Sequence, residues 1–127
     1  MRKLIATVAV AVAGTFAVAA PSQAATSCKT YKLPSKAVVM QSNATFVLQF
    51  TNGYWSVAGK PGAEVNMPAR LTMPKVFKFI ITWPNGAGGV YTGYIDADGF
   101  VSGTTYDRWK PSSRATWKLS RLAQCVY

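Results

Sequence analysis

Hydrophobic and polar residues alternate most clearly along Ala44–Phe50, where Phe and Leu side chains fall on one face of an extended chain. Asn52-Gly53 follows this segment, and a second extended pattern covers Tyr54–Ala58. Both residues of an Asn-Gly pair tolerate positive φ, which two-residue hairpin turns require. The pattern therefore predicts a β-hairpin with its turn at Asn52-Gly53.

Short runs of β-branched and aromatic residues continue to the end of the chain. They predict strands within Val65–Thr72, Val76–Trp83, Val90–Ile95, Phe100–Thr105 and Ala115–Leu122. Val76–Trp83 is mostly apolar on both faces of the predicted strand, so we expect it to be covered on both sides. Pro68 confines its own segment to a sheet edge or a bulge. Asp96–Gly99 lacks the further acidic ligands of a calcium loop and predicts a hairpin turn.

Helical spacing of apolar residues is nearly absent after residue 24. Strands that recur about every ten residues are typical of closed or stacked antiparallel sheets. We predict an all-β fold, a small antiparallel β-barrel or β-sandwich of about six or seven strands with one disulfide, formed by a single domain over residues 25–127.

The first 24 residues follow the three-part pattern of a secretory signal peptide. Arg2 and Lys3 precede the apolar run Leu4–Ala20, and Ser22-Gln23-Ala24 supplies the small residues of a cleavage site. A retained membrane helix is the alternative, but the run is short for spanning a bilayer. We expect cleavage after Ala24 and a secreted product, with no transmembrane segment after the signal.

The chain has two cysteines, Cys28 and Cys125, near the two ends of the predicted domain. An exported chain meets oxidising conditions, so we predict that they form a disulfide. The bridge would bring both ends of the domain together. The chain has no His, and two Cys alone do not complete a zinc site. We therefore expect neither a metal nor a cofactor.

Charge favours anionic partners. The chain carries 14 Lys and Arg against 4 Asp and Glu. Without Arg2 and Lys3, 12 basic residues remain against 4 acidic ones, a net charge of +8. Such a balance attracts wall polymers, anionic lipid surfaces or nucleic acid. It also serves solubility, and the charge count does not separate these two explanations.

Catalytic groups are scarce. Without His, the chain lacks the commonest general base. Asp96 and Asp98 belong to the predicted turn, which leaves Glu64 and Asp107 as a conceivable carboxylate pair that no motif places together. A Ser-x-x-Lys motif and a nucleophile elbow are both missing. We predict that the protein is not an enzyme.

Cations and aromatic rings are interleaved between Tyr106 and Arg121, a combination that suits polyanion binding. We predict a polar, basic loop that continues to Ser113. In the alternative interpretation, Trp117 belongs to the core, Tyr106 closes a barrel end and the charges form a solvated rim. The candidate binding residues are Tyr106, Arg108, Trp109, Lys110, Arg114 and Lys118.

Three functions are compatible with this pattern. The first is a non-enzymatic secreted binding domain whose basic face meets an anionic envelope or extracellular polymer. The second is a small barrel that binds an apolar or sugar ligand in its interior or mouth. The third is a protease inhibitor or antibacterial protein that presents Lys60 or Arg70. The first two differ in whether Trp55, Trp83 and Trp117 fill the interior or line a void.

The stretch Tyr91–Trp117 contains Gly93-Tyr94-Ile95-Asp96-Ala97-Asp98-Gly99-Phe100 and continues as Val101-Ser102-Gly103-Thr104-Thr105-Tyr106-Asp107. It resembles small secreted proteins of actinobacteria, especially mycobacteria, that have no assigned activity. The resemblance covers about half of the predicted domain, implies an exported β-protein and transfers no catalytic residue. Avidin-like barrels share Gly-rich hairpins and paired Trp, but their ligand residues find no match. The actinobacterial subtilisin inhibitors are similar in size, but they have two disulfides, whereas this chain has the cysteines for only one.

Overall fold

The computed structural model describes residues 28–127, and the predicted signal peptide lies outside these residues. The described residues contain eleven strands and no helix. The strands are β1 (Thr30–Lys32), β2 (Lys36–Gln41), β3 (Ala44–Thr51), β4 (Tyr54–Val57), β5 (Glu64–Asn66), β6 (Thr72–Pro74), β7 (Val76–Thr82), β8 (Gly88–Ile95), β9 (Val101–Asp107), β10 (Lys110–Leu119) and β11 (Gln124–Cys125).

Eight of the strands form one antiparallel sheet in the order β4-β3-β2-β10-β9-β8-β7-β5. Its two edge strands, β4 and β5, are consecutive in the chain and lie close to each other, so the sheet curls into a nearly closed barrel. The prediction of an all-β fold is confirmed, and of the two predicted architectures the chain adopts the barrel.

The two predicted hairpin turns are confirmed. Asn52 has φ 55° and Gly53 has φ 86°, and they join β3 to β4. In the second turn Gly99 has φ 93°, and the Asp96 carboxylate accepts N–H bonds from Asp98 and Phe100, both at 2.9 Å. The carboxylate is therefore part of the turn that joins β8 to β9.

We expect Gly53→Val to lower the free energy of unfolding by more than about 1 kcal/mol, because a β-branched residue resists the left-handed conformation of this turn. Urea denaturation measures the loss. Thr51→Val is the matched control, since Thr51 is exposed and ends strand β3, where branching is tolerated. Equal stability of the two variants would contradict the prediction.

The barrel interior is filled by alternate side chains of its strands. In β7, Phe77, Phe79 and Ile81 are buried while Lys78 is exposed. The prediction that this strand is covered on both faces was wrong, because the barrel covers only its inner face. Gly93 makes room for the Phe77 ring, whose nearest atom would lie 2.6 Å from an added Cβ.

One end of the barrel is closed by a second sheet of order β11-β1-β6, in which Tyr31 and Met73 are buried. The predicted disulfide is confirmed: Cys28 and Cys125 are bridged with Cα atoms 5.9 Å apart. Strand β11 pairs with β1, so the two ends of the described chain lie on adjacent strands.

The predicted number of strands, six or seven, was too low. The segment Val65–Thr72 holds no single strand: β5 lies at the barrel edge, and β6 belongs to the small sheet. The last barrel strand is Lys110–Leu119 rather than Ala115–Leu122. Strands of two or three residues escape a periodicity that needs at least four residues to be recognised, and β2, which has six residues, was also not predicted.

Candidate binding site at the barrel mouth

The end of the barrel opposite the disulfide sheet opens on a cavity of about 140 Å³, which we call the mouth. The strand ends of β2, β7, β8, β9 and β10 and the adjoining turns surround it. Its lining consists of Gln41, Asn43, Trp83, Ala87, Gly88, Gly89, Tyr91, Thr105, Tyr106, Asp107, Ser113, Arg114 and Ala115. The mouth is therefore lined mainly by polar and aromatic groups.

A fixed hydrogen-bond relay forms the floor of the mouth. The hydroxyl of Tyr91 donates to Gln41 Oε1 at 2.7 Å, and Gln41 Nε2 donates to Asn43 Oδ1 at 2.6 Å. Burial raises the pKa of Tyr91 to about 12, opposed by a hydrogen bond with the Thr105 side chain. The phenol keeps its proton well into the alkaline range and can donate it to Gln41.

Aromatic packing fixes the wall beside this floor. The ring of Trp83 meets Phe46 edge to face, with ring centroids 5.1 Å apart, and Phe46 meets Tyr91 in the same way at 6.3 Å. Trp83 is half-buried and lines the cavity, whereas Trp55 and Trp117 are buried in the core. Two of the three tryptophans thus fill the interior, and the third borders the mouth.

A tight turn at Arg108-Trp109 joins β9 to β10 at the rim. Asp107 Oδ1 accepts N–H bonds from Trp109 at 2.8 Å and from Lys110 at 3.1 Å. The prediction of a basic loop to Ser113 was wrong, because this aspartate closes a turn and strand pairing resumes at Lys110. The register then shifts, so that Pro111, Ser112 and Ser113 have no partner on β9 and form an exposed bulge.

Arg108 anchors the rim to the neighbouring strands. Its side chain is half-buried, and Nη2 donates to Thr82 Oγ1 at 3.4 Å. A Cβ at Gly88 would lie 2.9 Å from Arg108 Nε, so the absence of a side chain there makes room for the guanidinium. Arg108 Nε is buried with no partner among residues 28–127. We expect Arg108 to position the rim rather than to contact a ligand directly.

Trp109 is 72 % exposed, although two contacts orient its ring. The indole Nε1 donates to the Gly86 carbonyl at 3.3 Å, and the Arg108 guanidinium carbon lies 5.0 Å from the ring centroid. The contacts occupy part of the ring and leave a large apolar surface in solvent. An exposed aromatic ring held in one orientation binds a partner with little loss of conformational entropy.

Two exposed cations flank the mouth. Lys110 is exposed, and the exposed Arg114 guanidinium lies 5.5 Å from the Tyr106 ring centroid. Tyr106 and Arg114 are register partners, which explains why their side chains meet. Lys118 lies four residues further along β10, roughly 13 Å away, beside a different groove. Of the six predicted binding residues, Tyr106 and Arg114 line the mouth. Arg108, Trp109 and Lys110 lie on the adjoining turn and the start of β10, and Lys118 is separate from all of them.

The residues that form the floor of the mouth were not predicted from the sequence. Gln41 and Asn43 belong to the β2–β3 hairpin, and Tyr91 and Thr105 lie within the buried face of their own strands. A Gln in a strand and a Tyr fifty residues later carry no local signal of their pairing. The periodicity of a strand shows which face a residue occupies and cannot show which strand it faces.

The two acidic residues that could have formed a catalytic pair line different cavities. Glu64 borders a groove beside the open seam between β4 and β5, and Asp107 borders the mouth. Within residues 28–127 no three His, Cys, Asp or Glu side chains lie close enough together to hold a metal ion. The mouth is therefore suited to binding through hydrogen bonds, aromatic contact and positive charge.

None of the chain from 28 to 127 forms a helix with the length and hydrophobicity that crossing a membrane requires. Comparison of the chain with protein-family models, with curated proteins and with solved structures found no match.

Proposed function

We propose that this protein is a secreted, non-enzymatic binding domain that holds an anionic polymer of the cell envelope or the extracellular space at the barrel mouth. One observation carries the proposal: the exposed cation Arg114 lines a polar cavity, and the exposed Trp109 and Lys110 lie on the same β9–β10 hairpin next to it. The disulfide fits a protein that works outside the reducing cytoplasm.

The rim offers what a charged carbohydrate or phosphate polymer needs. Ammonium and guanidinium groups pair with carboxylates and phosphates, and Arg does so with two parallel hydrogen bonds. An aromatic face packs against the apolar side of a sugar ring. The net charge of +8 on the described residues draws such a polymer in, whereas the rim gives it a place to bind.

The chemistry of Asp107 favours binding over catalysis. Oδ1 of this carboxylate accepts two backbone N–H bonds that hold the turn, and the second candidate carboxylate, Glu64, borders another groove. A glycosidase needs two carboxylates on opposite sides of one bond. This arrangement supports a domain that holds its polymer without cleaving it.

The test compares two variants of equal net charge. Lys110→Gln with Arg114→Gln removes the rim cations, and Lys32→Gln with Lys36→Gln removes two exposed cations from other strands. We expect the rim variant to bind heparin or polygalacturonate about tenfold more weakly at physiological salt, where screening over about 8 Å leaves only close contacts effective. The control should lose much less. Calorimetric titration across a salt series measures both, and the rim variant should also show the shallower salt dependence.

Two results would overturn the proposal. Equal losses in the two variants would mean that net charge alone attracts the polymer and that the rim is not a site. Binding of anionic phospholipid vesicles with no binding of either polymer would assign the basic surface to a membrane instead.

A further inference from the structure

We infer that the mouth is a subsite for one six-membered sugar ring that carries an acidic substituent, so that the protein holds a single acidic unit of its polymer there. The inference rests on the proposed function and deepens it from a basic surface to a defined pocket. Three observations support it: the size of the cavity, its hydrogen-bonding groups and the position of Arg114.

The cavity has the size of a single ring. Its volume is about 140 Å³, and a cavity of about 150 Å³ in another protein holds one benzene molecule, so part of an acidic sugar fits inside while its substituent extends to the rim. Two linked sugar rings would not fit within this space. Because the interior below is filled by Tyr91 and Trp117, the mouth has no second exit through the barrel. The mouth can therefore hold one ring of a polymer at a time.

The lining selects a polar ring over a hydrocarbon. The relay from Tyr91 through Gln41 ends at Asn43, whose exposed amide nitrogen can donate to a hydroxyl of the ligand. The half-buried Trp83 supplies an aromatic wall that its contact with Phe46 holds in place. The polar groups suit the hydroxyls of a sugar, and the aromatic ring suits its apolar face.

The acidic substituent follows from the charges at the rim. Arg114 lines the cavity, and its guanidinium is exposed beside the Tyr106 ring, free to form a two-point contact with a carboxylate or phosphate. Asp107 is the one carboxylate in the lining, and its Oδ1 accepts two N–H bonds. The lining thus has one cation and one carboxylate, and Lys110 on the adjoining turn adds a second exposed cation, so an acidic sugar is favoured over a neutral one.

Binding of monosaccharides distinguishes a defined pocket from general attraction to the basic surface. We expect glucuronate or glucose 1-phosphate to bind the protein at one site, at least tenfold more tightly than glucose, and to shift the NMR signals of the Gln41 and Asn43 side-chain amides and of the Trp83 indole. Arg114→Gln should abolish the preference for the acidic sugar. Binding of glucuronate alone assigns carboxylated sugar units, and binding of glucose 1-phosphate alone assigns phosphorylated ones.

A cavity-filling variant tests the location without changing charge. Ala115 lines the mouth, and we expect Ala115→Leu to abolish monosaccharide binding. The matched control is Ala63→Leu, since Ala63 is also half-buried but borders the groove beside the β4–β5 seam. Asn43→Ala, at an exposed position, gives a second variant should Ala115→Leu not fold, and it should weaken monosaccharide binding at least fivefold.

The two proposals fail differently. If no monosaccharide binds at one site, or if Ala115→Leu and Ala63→Leu bind it equally, the pocket inference is overturned, whatever the polymer does. If the rim variant lacking Lys110 and Arg114 binds heparin as well as its matched control does, the proposed function itself is overturned. Retained polymer binding in Ala115→Leu together with lost monosaccharide binding supports both.

Discussion

Replacing Cys28 and Cys125 with Ser will lower the free energy of unfolding by about 4 to 5 kcal/mol. The bridge closes a loop of sequence separation 97, and the entropy that such a loop removes from the unfolded chain is of this size. A small domain has a total stability of about 5 to 15 kcal/mol, so the loss is a large part of it. Strand β11 has only two residues, and the bridge ties it to the segment entering β1.

Urea denaturation of the double Ser variant measures this loss. The control is the wild-type protein unfolded in the presence of a reducing agent, which opens the same loop without any substitution. Both samples should show the same decrease relative to the oxidised protein. A decrease below about 1 kcal/mol in both would mean that the barrel holds its ends together without the bridge.

Trp117→Ala should cost about 3 to 5 kcal/mol, the range found for large aromatic side chains removed from a core. Trp117 is 3 % exposed, and its ring centroid lies 5.7 Å from that of Phe79 and 6.0 Å from that of Tyr91. Its indole N–H donates to the Thr104 carbonyl at 3.1 Å. The substitution removes the aromatic contacts and this hydrogen bond and leaves a void in the core.

Trp109→Ala is the matched control, since the chemical change is identical and the side chain is exposed. We expect it to cost less than about 1 kcal/mol, because exposed contacts with Gly86 and Arg108 contribute little. Chemical denaturation of both variants, followed by circular dichroism, gives the comparison. Similar losses in the two variants would show that burial of Trp117 does not stabilise the barrel as described.

The hairpin turns were predictable because their cause is local. At Asn52-Gly53 both backbones have positive φ, and those two residue types tolerate it best. At Asp96–Gly99 a carboxylate bonds to N–H groups two and four residues later. Such interactions depend on a few neighbouring residues, so the chain specifies them wherever the segment lies in the fold.

The turn at Arg108-Trp109 was missed although its cause is equally local. The run of charged and polar residues from Asp107 to Arg114 has no alternation that would indicate a strand. Lys110 and Arg114 join strand β10 because Asp107 and Tyr106 of β9 offer them backbone partners, and the residues between them form an exposed bulge. Pairing with a neighbour outweighs a weak intrinsic preference.

By itself, the sequence determined that this protein is built from strands, that its turns lie at Asn52-Gly53 and Asp96–Gly99, and that Cys28 is positioned to meet Cys125. Only the tertiary structure decided that Tyr91 reaches Gln41 and that a cavity opens above them. The reason is that the geometry of a turn depends on residues that are neighbours in the chain. A barrel mouth is formed by strand ends from distant parts of the chain, which come together only when the sheet closes.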